Sequence, residues 1–148
     1  MRGEWATFDL EQKARALGYG VIAGIDEVGR GAVAGPVSVG LVVLPDDQIP
    51  VTDSKLLSSG QRAEKAALIA EAAIVCEVMH IEAEYIDMHG IIAAQREAIQ
   101  RMWELIDPVP TYVLLDGRHD FTGLGEAARV QTIVRGDQKS ASIAAASI

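Results

Sequence analysis

The chain has 148 residues, 49% hydrophobic and 23% charged, with 21 acidic against 13 basic side chains and a formal charge of −8. The length suits one domain with a real core, and the balance excludes a uniformly basic nucleic-acid coat. Cys76 is the single cysteine, so no internal disulfide or cysteine-based zinc cluster is possible and a reducing, cytoplasmic setting is expected.

The first element is a short helix over Asp9 to Leu17, with Asp9 and Gln12 at capping-box spacing and Gly18 as its stop. Val21-Ile22-Ala23-Gly24-Ile25 reads as a buried strand that ends in Asp26-Glu27. Gly29 to Pro36 carries three glycines and a proline, so it is turn. Val37 to Leu44 is a second strand returning beside the first, and Pro45 to Leu57 is a loop containing Asp53-Ser54-Lys55. Ser58 or Ser59 caps a helix over Gly60 to Ala73, and Val75 to Glu82 alternates as a half-buried strand. Ile91 to Ile106 is a long helix with Ile92, Ile99, Trp103 and Ile106 near helical spacing, stopped by Pro108 and Pro110. Tyr112 to Leu115 is a strand ending at Asp116-Gly117, and Arg129 to Val134 is the fifth strand. Lys139 to Ile148 is helix-compatible with nothing at its end to close the helix. The expectation is one α/β domain over residues 1–148 that stops inside an element. No apolar run reaches the roughly 18 residues of a membrane span, and the N-terminus has no signal-peptide pattern.

Two strands end in acid, at Asp26-Glu27 and at Asp116. Ligands of open α/β sheets gather at the carboxyl ends of strands. If these two strands are parallel neighbours, about 4.8 Å apart, three carboxylates converge. Hard oxygen donors of that kind suit Mg²⁺ or Mn²⁺. A solvated strand end remains the plain alternative for any one of them. Gly29-Arg30-Gly31 fits a bare-backbone turn approaching a sugar-phosphate, an ordinary hairpin turn, or a nucleotide loop; against the last, the third glycine comes one residue late and a strand follows instead of a helix. Lys139-Ser140 stands at a helix N-terminus, either as a phosphate site or as a plain serine cap. Lys55 is a loop cation, solvated or functional. His80 reads as structural, and neither His80, His89 and His119 nor Cys76 forms a ligand or nucleophile pattern.

Taken in order, Ala23-Gly24-Ile25-Asp26-Glu27-Val28-Gly29-Arg30-Gly31, Ala34-Gly35-Pro36-Val37, Asp53-Ser54-Lys55-Leu56, Leu115-Asp116-Gly117 and Gly136-Asp137-Gln138-Lys139-Ser140 running into Ser142 to Ile148 resemble type 2 ribonuclease H, or ribonuclease HII. The resemblance implies a ribonuclease H-like fold, a mixed five-stranded sheet flanked by helices. It implies an endonuclease cutting the RNA strand of RNA–DNA hybrids and the 5′ side of single ribonucleotides embedded in duplex DNA, acting as a monomer. It also implies a two-metal mechanism with Mn²⁺ or Mg²⁺. By the same resemblance Asp26, Glu27 and Asp116 are catalytic metal ligands. Gly29, Arg30 and Gly31 read the 2′-hydroxyl, and Lys55, Lys139 and Ser140 contact phosphates. The family is expected to continue past Ile148 with a fourth catalytic aspartate and a substrate-stacking tyrosine. Without them, the alternative is a non-catalytic nucleic-acid-binding fragment.

Overall fold

The apolar runs on either side of the glycine-rich turn become antiparallel neighbours in the computed structural model, which describes residues 6–28, 37–45 and 58–148. They are β1 (Ile22–Val28) and β2 (Val37–Val43). β3 (Val75–Ile81) adds antiparallel to β2. On the other side of β1 lie β4 (Tyr112–Asp116) and then β5 (Arg129–Ile133), both parallel to their neighbours. The sheet order is therefore β3-β2-β1-β4-β5, the mixed five-stranded arrangement expected.

Strand alternation assigns the two faces. Ala23, Ile25, Val39, Leu41, Val113 and Leu115 point to one face, where they pack with α4 (Ile91–Leu105). The stripe that α4 buries is Ala94, Ala98, Ile99 and Met102. Ile92, expected in that stripe, is exposed, and Trp103 is only partly buried. Both sit one position off the line of smaller residues that meets the sheet. Ahead of α4 lies α3 (Ala83–His89), a helix the sequence did not announce. It buries no residue, so its apolar pattern carries no period to detect.

The opposite face carries α5 (Ala141–Ala146). Two glycines let it lie directly on the strands. A Cβ at Gly24 would stand 2.2 Å from the Ser142 carbonyl carbon, and one at Gly40 would stand 2.5 Å from the Ala146 oxygen. Side chains at either place would lift α5 off the sheet. α1 (Asp9–Ala16) covers the same side, packing Ala14 with Ile22, Tyr112 and Leu114. Its N-cap is Phe8 with no side-chain cap bond, so the Asp9–Gln12 capping box is not formed. Asp9 is already the first helical residue, one position too late to cap. The second helix, α2 (Ser59–Ala72), does have its box: Ser58 Oγ accepts from Gln61 N at 3.1 Å and Gln61 Oε1 accepts from Ser58 N at 2.9 Å. Among the described residues no helix is long and apolar enough to cross a membrane.

Candidate functional site

β1 and β4 run parallel in a register that pairs Ile25 with Leu115. The next residue on each strand is an aspartate, so the fold sets Asp26 beside Asp116 at one rim of the sheet. Their side chains are in hydrogen-bond contact. Each also has a backbone donor: Asp26 Oδ1 accepts from Glu27 N at 2.8 Å, and Asp116 Oδ1 accepts from Gly136 N at 2.7 Å. Two carboxyls in contact cannot both ionise cheaply. Burial foremost, then the Asp116 carboxyl, pushes Asp26 up to about 8 from 3.8, with Asp137 adding to the rise and the Glu27 N–H opposing it.

Asp137 was not among the residues chosen from the sequence. It is 7% exposed, in the 3-10 turn Gly136–Gln138 after β5. β5 is parallel to β4 and ends at the same rim. The rule that selected Asp26 and Asp116, an acid just past a strand's carboxyl end, applies to it also. On sequence position alone, Asp137 and Asp120 are the nearest acids to the expected fourth carboxylate and neither matches its place; the parallel course of β5 is what brings Asp137 to this rim. A fourth carboxylate, expected only beyond Ile148, therefore has a counterpart inside the chain.

Glu27 follows Asp26 along the pleat and leaves from the opposite face of β1, its Oε2 buried. Among the described residues no three His, Cys, Asp or Glu groups lie close enough to hold a metal ion as they stand. The donor set nevertheless fits a hard divalent cation. All its members are carboxylate oxygens, and the Asp26–Asp116 pair, held together beside a third anion, requires a positive charge. The same crowding that raises Asp26 favours a positive charge between the two carboxyls, a proton or a cation.

Ser140 corrects an expectation. It is fully buried, and its hydroxyl donates to Glu11 Oε2 at 2.6 Å while accepting from Ile143 N at 3.2 Å. Both lone pair and proton are engaged, so it is an α5 cap with no access to a phosphate. Lys139, one residue earlier, is exposed. Gly29, Arg30, Gly31 and Lys55 lie outside the described residues. His80 pairs through Nδ1 with the Ser38 hydroxyl, in keeping with a structural role. Partial burial and then Glu77 raise the Cys76 thiol, which argues against a nucleophile.

The ribonuclease HII family profile matches residues 23–148, from the first strand through α5. The chain belongs to the ribonuclease HII family. A ribonuclease HII of Ruegeria sp. is 41% identical over 148 residues, covering 98% of this chain and 63% of its own length. One from Salinibacter ruber is 41% identical over 142 residues, covering 93% of this chain and 70% of its own. The chain thus spans 63% and 70% of the length of these two ribonuclease HII relatives. Among solved structures, the ribonuclease H2 of Pyrococcus horikoshii OT3 superposes with a TM-score of 0.73 at 26% identity, over 86% of this chain and 68% of that one. The sheet and helices described above are thus those of the ribonuclease H-like fold.

Proposed function

We propose that this chain carries the catalytic core of an endonuclease that hydrolyses the RNA strand of RNA–DNA hybrids. It also cuts duplex DNA on the 5′ side of an embedded ribonucleotide, as a cytoplasmic monomer serving replication and repair. The observation that carries this reading is the Asp26–Asp116 carboxyl pair at the ends of two parallel strands, with Asp137 close enough to act on it. Asp26, Glu27, Asp116 and Asp137 would hold Mg²⁺ or Mn²⁺. When bound, such ions make water a nucleophile near neutral pH and stabilise the leaving oxygen of a phosphodiester.

The chain's own residues then have distinct tasks. Gly136 N–H holds one oxygen of Asp116, and Glu27 N–H holds one of Asp26, so both carboxyls keep their orientation with or without a cation. Lys139 is free in position to meet a phosphate from its exposed place beside Asp137. Gly29-Arg30-Gly31 directly follows β1 and would bring bare backbone to the 2′-hydroxyl, the group that separates RNA from DNA. Lys55 would add a second phosphate contact. A non-catalytic binding fragment is the alternative, and the action of Asp137 on the Asp26–Asp116 pair supports the catalytic reading over it.

The test is cleavage of a DNA duplex carrying one ribonucleotide, in Mn²⁺, beside an all-DNA control. The expected result is a single cut 5′ of the ribonucleotide, leaving 3′-hydroxyl and 5′-phosphate ends, lost in Asp26→Asn and in Asp137→Asn. An intact substrate with a folded wild-type chain would refute the catalytic reading.

A further inference from the structure

Glu11 is 1% exposed, on α1, far in sequence from every acid of the rim. Its Oε2 accepts from Ser140 Oγ at 2.6 Å and from Ser142 N at 2.8 Å. Its Oε1 is buried with no hydrogen-bond partner among the described residues. Two backbone bonds reinforce the same junction: Ala141 N donates to Thr7 O at 2.9 Å, and Thr7 N donates to Lys139 O at 3.4 Å. Residues 7–11 therefore grip residues 139–142.

The gripped segment is the one that builds half of the site. Ser140 N donates to Gly136 O at 2.7 Å, and Gly136 N donates to Asp116 Oδ1 at 2.7 Å. Asp137 lies between those two anchors. At its other end the segment becomes α5, whose Ser142 backbone rests on Gly24, two residues before Asp26. A shift of the Ser140–Ser142 turn would thus move Asp137 and the Gly136 donor relative to Asp26.

A neutral side chain could satisfy the two donors at Oε2. A carboxylate there brings a buried charge whose second oxygen has no described partner, an expensive way to cap six residues. Charge-assisted bonds are shorter and stiffer than neutral ones, which suits a part that must hold position.

We infer that Glu11 is a positioning residue for the cation site, fixing Asp137 and the Gly136–Asp116 bond through its grip on Ser140 and Ser142. This rests on the proposed function, since it presumes that the rim carboxylates bind Mn²⁺. Outer partners of metal ligands typically change affinity 10- to 100-fold.

The experiment is calorimetric titration of the full chain with Mn²⁺, well below the melting temperature, for wild type, Glu11→Gln and Ser140→Ala. Asp26→Asn marks binding at the rim. Glu11→Gln keeps the shape of the side chain, and Ser140→Ala removes one of the same bonds from the other side, so a folding failure of either leaves the second to report. Circular dichroism checks that each is folded. The expected result is a loss of Mn²⁺ affinity of about tenfold or more in Glu11→Gln, a smaller loss in Ser140→Ala, and no further loss when the two are combined. Cleavage in Glu11→Gln should return toward the wild-type kcat as Mn²⁺ is raised, because the ligands themselves are intact. A lowered Tm with Mn²⁺ affinity within twofold of wild type overturns the inference and leaves Glu11 a structural residue. A folded wild-type chain that binds Mn²⁺ no better than Asp26→Asn overturns the proposed function, and this inference with it.

Discussion

Replacing Asp26 by asparagine should stabilise the cation-free chain at neutral pH and above, and not in acid. The Asp26 carboxyl is pushed up to about 8, against 3.8 for a free aspartate. Between those two values the folded chain keeps a proton that the unfolded chain releases. Stability therefore falls as pH rises through that window, by at most about 1.4 kcal/mol per pH unit. Below the window both states are protonated, and above it both are ionised, so the dependence vanishes. From pH 5 to 7 the full effect is roughly 2–3 kcal/mol. Water at the sheet rim screens part of it, leaving about 1–2 kcal/mol. For a chain of this length that is about 2–8 °C in Tm. Asparagine cannot ionise, and its amide can still donate to Asp116. The assay is thermal unfolding of wild type and Asp26→Asn in EDTA at half-unit steps from pH 4 to 8. The two curves should coincide near pH 4 and diverge upward, with the variant the more stable at pH 7. Adding Mn²⁺ at pH 7 should raise the wild-type Tm and leave the variant unmoved. Parallel curves across the whole range would refute the coupled-carboxyl account.

The same glycine-to-alanine change should have opposite signs at two places. Gly24→Ala puts a Cβ 2.2 Å from the Ser142 backbone and should cost about 3 kcal/mol or more, read as a fall in the urea midpoint. Gly60→Ala, in α2 with nothing within 4 Å, should gain about 0.5–1 kcal/mol in the same assay. Ser58→Ala removes the hydroxyl half of the α2 capping box, the acceptor for Gln61 N, and should cost about 1 kcal/mol by chemical denaturation. Ile99→Ala empties a fully buried place between α4 and the sheet and should cost about 2–5 kcal/mol.

The strands are legible because each is a short apolar run. The acids read as strand ends are taken into the strands themselves: β1 runs through Asp26 and Glu27 to Val28, and β4 includes Asp116. The parallel pairing of β1 with β4 followed from two strands of matching design, and it is what joins Asp26 to Asp116. α3 was not legible because only Tyr85 and Ile86 pack partly against the core, too few to set a period, and periodicity reports burial rather than helicity. Asp9 was misread as a cap because the chain starts its helix one residue earlier than the serine-like pattern suggests, with Phe8 held by packing. The role of Ser140 depended on Glu11, 129 residues away, a partner that no local pattern can name. Asp137 lay in plain view, but its relevance required the direction of β5 relative to β4.

That 129-residue separation also sets a schedule. Ribosomes add about 5–20 residues per second. α1 is made before α5, so Glu11 precedes by on the order of ten seconds the serines that donate to it. Burying an ionised carboxylate before then would have nothing to offset it. β1, β2 and β3 pair between neighbouring segments, so their partners are all made before that junction can close. The Glu11 junction thus joins α1 to α5 across most of the intervening chain, and it closes only after both helices have been made.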